Sequence, residues 1–122
     1  MFWQRMVTAL NSREKGKRGE RELANILKGY GYGCRRTQQY AGGTEESADV
    51  VGLPGIHIEC KRVQALNLDE AMNQAIRDSN GKNLPAVFHR KNKQPWKVTM
   101  RLGDWMELYR EWEASKAINK HT

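Results

Sequence analysis

The chain has 122 residues, enough for one compact domain built around one core. With 39% hydrophobic and 29% charged residues and three prolines, it is typical of a globular protein rather than a collagen-like, disordered or disulfide-scaffold chain. Lysine and arginine outnumber aspartate and glutamate by 21 to 14, and the resulting net charge of +7 predicts a polyanionic partner, foremost nucleic acid.

No apolar run reaches the roughly 20 residues that span a bilayer, and Arg5 interrupts the short apolar stretch at the N-terminus. The expectation is a cytoplasmic protein with neither a membrane partner nor a small-molecule substrate. In a reducing compartment Cys34 and Cys60 are expected to be free thiols. Neither has a cysteine or histidine at zinc-ligand spacing, which argues against a structural zinc site.

The predicted elements begin with a helix over residues 17–28, ended by Gly29 and Gly31. A strand over residues 32–37, a polar loop and a short apolar run over residues 49–51 follow. The next strand, over residues 56–63, alternates, so its side chains fall into two sets. One face carries Ile56, Ile58 and Cys60, and the other carries His57, Glu59 and Lys61.

A second helix is predicted over residues 67–79 with Asn67 as its N-cap, followed by strands over residues 85–89 and 96–101. A last helix places Trp105, Met106, Tyr109 and Trp112 on one stripe. The order α-β-β-β-α-β-β-α predicts an α/β fold with a mixed sheet of about five strands flanked by helices. Residues 1–12 are expected to be an N-terminal extension, residues 13–113 the single domain, and residues 114–122 a polar tail.

The basic residues fall into three clusters, which favours contacts with phosphates. The alternative is a solvated face that serves solubility. The candidate DNA-binding residues are Arg13, Lys15, Lys17, Arg18 and Arg21, then Arg35 and Arg36, and finally Arg90, Lys91 and Lys93.

Three carboxylates and a lysine indicate which reaction the protein could catalyse. Glu59 and Lys61 project from the same face of one strand, and a hairpin can bring Asp49 beside Glu59. Glu20 lies near the inward stripe of the first helix, where an ionised group must be paired or must bind a metal. Asp49, Glu59 and Glu20 are therefore candidate ligands of Mg²⁺, with Mn²⁺ able to substitute. With Lys61 they form a sensible catalytic set for phosphodiester hydrolysis.

Ser47-Ala48-Asp49-Val50-Val51 followed by Glu59-Cys60-Lys61 resembles the signature of PD-(D/E)XK nucleases, with Ala48 where the motif often has proline. The stretch Lys15-Gly16-Lys17-Arg18-Gly19-Glu20-Arg21-Glu22-Leu23 resembles the opening of archaeal-type Holliday junction resolvases, and Glu20 corresponds to their first-helix glutamate. The resemblance covers roughly residues 12–112 and includes the element order. Similar short proteins are carried by bacteriophages.

The resemblance implies a restriction-endonuclease-like fold and a homodimer that cuts two strands of a four-way DNA junction in symmetry. It also implies a mobile loop, here residues 40–47, in which Ser47 helps to position the phosphate, and a supporting glutamine, here Gln74. For Gln74 a merely structural place beside the apolar stripe of its helix is an equal alternative. Trp105, Tyr109 and Trp112, or Phe2 and Trp3, are candidates for the dimer contact.

Other interpretations stay open at this point. The chain is alternatively a PD-(D/E)XK nuclease acting on other DNA structures, a non-catalytic basic DNA-binding module, or an RNA-binding protein, although it lacks an aromatic RNA-recognition strand motif. His57 is interpreted as an imidazole without a catalytic role, and Cys60 as a small buried hydrophobe. Trp96, Trp105 and Trp112 are expected in core or dimer contacts rather than in base stacking.

Overall fold

A computed structural model describes the backbone of residues 2–37 and 48–120 and the side chains of residues 13–37 and 48–119. The predicted order α-β-β-β-α-β-β-α is confirmed. The elements are α1 (Phe2–Gly29), β1 (Arg35–Arg36), β2 (Val50–Val51), β3 (Ile56–Arg62), α2 (Leu68–Ser79), β4 (Leu84–Arg90), β5 (Lys97–Met100) and α3 (Leu102–Lys120). In this part of the chain, none of the helices has the length and apolar character needed to cross a membrane.

The five strands form one mixed sheet in the order β1-β2-β3-β4-β5. All neighbouring pairs are antiparallel except β3 and β4, which are parallel and are joined by the crossover helix α2. The turn between β2 and β3 depends on Gly52, which has a φ of 107°. A Cβ at this position would lie 2.3 Å from the carbonyl oxygen of Gly33, so only glycine fits there.

The two central strands are buried on both faces because a helix covers each side of the sheet. On one side, Leu23 and Ala24 of α1 pack with Ile58 and Cys60 of β3. On the other side, small residues of α2 pack on Val87 of β4, which lies beside Glu59 in the sheet register. Strand β3 therefore lies between α1 on one face of the sheet and α2 on the other.

The second helix begins where the sequence predicts. The side chain of Asn67 accepts a hydrogen bond of 3.1 Å from the backbone N–H of Glu70, as an N-cap does. The helix ends at Asn80, whose left-handed conformation with a φ of 52° places the following Gly81 in a turn. These two caps set the bounds of α2.

The ends of the chain differ from the sequence-based expectation. Helix α1 begins at Phe2 rather than at Lys17, and α3 continues to Lys120 rather than giving way to a loose tail after Glu113. Neither added stretch contains a proline, so backbone hydrogen bonding can continue through both. The first strand is shorter than expected, Arg35–Arg36 instead of residues 32–37. The predicted loop over residues 40–47 lies outside the described residues.

The predicted aromatic stripe is present on α3, but it lies at the surface of the protein. Trp105 and Trp112 are 48% and 55% exposed, so the expectation of core contacts is wrong for both, and the dimer contact stays a prediction. Their rings flank Tyr109, with centroid distances of 5.2 Å and 5.6 Å. Trp96, in contrast, is partly buried against the core, as expected. The side chains of Phe2 and Trp3 are outside the described part.

Candidate active site

The hairpin of β2 and β3 brings Asp49 beside Glu59, as its sequence predicts. The backbone N–H of Asp49 donates to the carbonyl of Ile58 at 3.0 Å, and Asp49 Oδ2 accepts from the N–H of Cys60 at 2.8 Å. Thr37 Oγ1 also donates to the Asp49 carbonyl at 3.1 Å. These bonds fix the Asp49 carboxylate against the middle of β3, within hydrogen-bonding reach of the Glu59 side chain.

Glu59 is one of the most deeply buried side chains of the described part of the chain, at 1% exposure. Burial raises its pKa from 4.5 to about 8, and the neighbouring charge of Asp49 adds to this effect while Lys61 opposes it. The Lys61 ammonium lies 3.4 Å from Glu59 Oε1. Burial also raises the pKa of Asp49, although the N–H of Cys60 partly offsets it. The pair therefore holds a proton readily when no cation is bound.

Helix α1 supplies the third carboxylate. Glu20 is half-buried, and burial together with the charge of Asp49 raises its pKa. Arg36 Nε donates to Glu20 Oε2 at 3.0 Å and partly compensates this crowding. The preceding Gly19 explains the close approach, because a Cβ there would lie 2.8 Å from the Cβ of Arg62 on β3. Glu20 can therefore reach the cleft because its neighbour Gly19 has no side chain to keep α1 away from β3.

A cleft of about 470 Å³ joins these groups. Glu20, Asp49, Glu59 and Lys61 all line it, so the structure brings the four predicted catalytic residues together. Lys15 and Gly16 of α1 and Gln74 of α2 border the same cleft, and the supporting role of Gln74 stays a prediction. Ser47 lies outside the described residues.

Sequence reasoning missed a second polar group next to this cleft. His57, Glu59 and Asp78 each offer one ligand atom, and these atoms lie within 4.8 Å of one another, so the group can hold a metal ion. The alternation of β3 already placed His57 on the Glu59 face. The partner Asp78 follows Gln74 by one helical turn, a spacing that puts both on the same side of α2.

The predicted DNA-binding residues differ in exposure and in the ion pairs they form. Arg36 is paired with Glu20, and Arg90 is paired with Glu22 across the fold. Glu22 also lies 3.1 Å from Arg62 and accepts a bond of 3.0 Å from Trp96 Nε1, so it ties α1 to the sheet and is a residue that the sequence analysis overlooked. The side chains left exposed are those of Arg13, Arg18, Arg21, Arg35, Lys91 and Lys93, while Lys15 and Lys17 are half-buried.

Two further cavities lie near the cleft. A small cavity of about 260 Å³ shares Lys61 and Gln74 with the cleft, and it shares Leu66 and Asn67 with a groove of about 850 Å³. The basic residues of that groove are Arg90, Lys91 and Lys97. Taken together, these neighbouring cavities reach from the carboxylates to the turn between β4 and β5.

The two cysteines are buried and unpaired, as expected. Burial raises the pKa of the Cys60 thiol, which removes it from consideration as a nucleophile at neutral pH. Its side chain belongs to the apolar cluster under α1. The chemistry of this region therefore rests on carboxylates, the lysine and the imidazole.

Comparison with known proteins agrees with this geometry. Residues 11–122 match the family described as "Phage putative PDDEXK endonuclease". No curated protein matches the chain. Among solved structures, the chain is similar to Hjc, a Holliday junction resolvase from the archaeon Archaeoglobus fulgidus, with 21% identity and a TM-score of 0.54. The match covers 68% of this chain and 74% of the archaeal one, and at this identity it establishes the fold.

Proposed function

Because the chain belongs to the phage PD-(D/E)XK endonuclease family, we propose that it is a metal-dependent DNA endonuclease that resolves four-way junctions as a homodimer. The observation that carries the proposal is the convergence of Asp49, Glu59, Lys61 and Glu20 on one cleft. These residues come from three separate elements, so their meeting is a property of the fold and not only of a short motif. Fold similarity to Hjc supports the choice of substrate.

The donor set suits Mg²⁺, since Asp49, Glu59 and Glu20 offer carboxylate oxygens only. Burial raises the pKa of both Glu20 and Glu59, and the charge of Asp49 raises both further, as expected where like charges are gathered and a cation would relieve them. When bound, such an ion stabilises charge on the scissile phosphate and makes a water more acidic. Mn²⁺ is expected to substitute for it.

The roles of the protein groups follow from their positions. Asp49 and Glu59 would hold the cation, and Glu20 at the α1 side of the cleft would complete its surroundings. The Lys61 ammonium, on the same strand face as Glu59, is placed to orient the attacking water or to offset charge on the pentacovalent phosphate. Gln74 would steady this arrangement from α2.

The exposed basic side chains suit a DNA backbone. Arg18 and Arg21 project from the helix that borders the cleft, and Lys91 belongs to the groove near it. A duplex arm lying along the cleft and the groove would pass its phosphates over both regions. Arg36 and Arg90 have carboxylate partners already, so their contribution to DNA affinity is expected to be smaller.

A junction presents two equivalent scissile phosphates, and a symmetric homodimer can place one cleft at each. The exposed stripe of Trp105, Tyr109 and Trp112 offers apolar surface for the dimer contact. Mixed dimers of wild-type and Asp49→Asn subunits should then nick one strand and not cut two. Full double cutting by such mixed dimers would argue that one subunit acts twice.

The test compares a synthetic four-way junction with duplex, flap and single-stranded DNA, each with Mg²⁺ and with EDTA. We expect Mg²⁺-dependent cleavage with a strong preference for the junction, and tight binding without turnover in Ca²⁺. Equal cleavage of linear duplex would replace the resolvase with a general nuclease. Tight binding with no cleavage in Mg²⁺ or Mn²⁺ would make the chain a basic DNA-binding module.

A further inference from the structure

The two carboxylate oxygens of Glu59 have different surroundings. Its Oε1 lies near Lys61 on the side of the cleft, whereas its Oε2 is buried and has no hydrogen-bond partner. Nε2 of His57, two residues earlier on the same strand face, is likewise buried without a partner. The two side chains are 1% and 4% exposed, so bulk water does not satisfy these atoms.

Asp78 lies near these two side chains. It lies on α2, and one of its carboxylate oxygens falls within the 4.8 Å span that also contains a ring nitrogen of His57 and an oxygen of Glu59. Two ligands bound to one ion at about 2.1 Å are at most about 4.2 Å apart, so small side-chain rotations suffice to close the group on a cation. Asp78 is only half-buried, which gives an ion a route in from solvent.

We propose that His57, Glu59 and Asp78 form a second cation site that selects a transition-metal ion of the Zn²⁺ or Co²⁺ type over Mg²⁺. One imidazole nitrogen and two carboxylate oxygens are a donor set that such ions accept, whereas Mg²⁺ takes oxygen ligands and keeps its waters. Two carboxylates also balance the charge of a divalent ion. Three protein ligands leave a further position for water.

The proposal accounts for both orphaned atoms with one ligand. It does not depend on nuclease activity, because it concerns binding on the α2 side of Glu59. It adds that the two sites share one residue, Glu59, whose Oε1 lies near Lys61 and whose Oε2 is buried without a partner. Occupancy of the second site would hold the Glu59 side chain in place for the first.

The experiment uses full-length protein freed of metal with a chelator and titrates it with Co²⁺, followed by visible absorption, and with Zn²⁺, followed by calorimetry. We expect one tightly bound ion that millimolar Mg²⁺ does not displace. Asp78→Asn should weaken binding about tenfold or more, while Asp49→Asn and the exposed α2 control Asp69→Asn change it by less than about threefold. Circular dichroism confirms the fold of each variant.

A second measurement needs no substitution in the site. In ¹⁵N-labelled wild-type protein, Zn²⁺ should shift the imidazole nitrogen resonances of His57 and leave those of His89 and His121 unchanged, with His89→Gln and His121→Gln providing the assignment of the three histidines. The proposal is overturned if wild-type protein binds neither ion, which would leave the space to water. It is equally overturned if binding survives Asp78→Asn but is lost in Asp49→Asn, or if the His57 resonances do not move.

Discussion

One face of β3 carries Ile58 and Cys60 against Leu23 of α1, whereas the other carries His57 and Glu59 beneath α2. All four strand side chains are buried, but they are satisfied differently. The apolar face gains its free energy from close packing alone. The polar face holds crowded carboxylates and two buried polar atoms without partners, which costs free energy in the absence of a ligand.

The contrast indicates that the two faces of β3 have different roles. The α1 face should determine whether the domain folds, and the α2 face should determine what the folded domain binds and cleaves. If the division is correct, substitutions on the two faces should change different observables. Substitutions on the polar face should affect activity far more than stability, and those on the apolar face should do the reverse.

The largest effect is expected at Lys61 on the polar face. Lys61→Ala should lower the rate of DNA cleavage by about 10³-fold, because the ammonium is proposed to act on the transition state. DNA affinity measured in Ca²⁺ should change by only a few fold, and the free energy of unfolding by less than about 1 kcal/mol. Lys28→Ala, an exposed substitution at the end of α1, is the control. Near-normal cleavage by Lys61→Ala would remove this residue from the mechanism.

On the apolar face, Ile58→Ala should lower the free energy of unfolding by about 3 kcal/mol, because it leaves a cavity at a fully buried position. Ile56→Ala, at the half-buried start of the same face, should cost less. Urea denaturation measures both. At low temperature, where the variant remains folded, its cleavage rate should stay within a few fold of wild type. A large loss of activity in folded protein would contradict the division between the faces.

Glu59→Gln should stabilise the metal-free protein, an outcome that the apolar face cannot give. The pKa of Glu59 is raised from 4.5 to about 8, so the folded state binds more protons than the unfolded chain between these values. The stability that the protonated form provides is complete below about pH 4.5 and is lost as pH rises through about 8. Glutamine removes this loss while keeping a hydrogen-bond donor for Asp49.

At pH 9 in EDTA the variant should therefore exceed wild type by about 2 kcal/mol, with the difference shrinking toward pH 5. Thermal denaturation across this range is the measurement, and Glu70→Gln on the exposed side of α2 is the control. Cleavage by Glu59→Gln should be abolished in the same samples. A difference that grows toward low pH would show that Glu59 is ionised in the folded state.

How far the sequence predicts these faces can be judged from particular residues. Strict alternation of β3 was enough to separate Cys60 from Glu59, and the short turn around Gly52 was enough to bring Asp49 next to Glu59, because both signals are local. The grouping of His57 with Asp78 was not predictable in this way. It depends on the rotation of α2 over the sheet, which is fixed by how its small residues pack on Val87.

For the helices, too, the sequence predicts some features and not others. The stripe of Trp105, Tyr109 and Trp112 was read correctly as one helical face, but periodicity states which residues share a face and not what covers them. The early start of α1 was missed although Trp3, Met6, Val7 and Leu10 fall at helical spacing, because this apolar stripe is followed by the polar, glycine-containing stretch before Lys17. The side-chain pairs of Glu22 with Arg90 and Trp96 join residues far apart in sequence, and no local pattern indicates them.

The smallest effect tests how α1 is held against the apolar face of β3. Gly19→Ala and Gly16→Ala both replace a helical glycine with a better helix former, which by itself stabilises by up to about 1 kcal/mol. At Gly16 nothing lies within 4 Å of the added methyl group, so Gly16→Ala should raise the melting temperature by a few degrees. At Gly19 the methyl would lie 2.8 Å from the Cβ of Arg62.

Helix α1 must then shift away from β3, and Gly19→Ala should lose about 1 to 2 kcal/mol of unfolding free energy despite its helix propensity. Because Glu20 follows directly, the shift should also reduce cleavage. Differential scanning calorimetry and the junction assay on the same samples give both numbers. Equal stabilisation by the two substitutions would mean that α1 does not rest on β3 through Gly19, and the apolar face would then lack the contact that sets the position of Glu20.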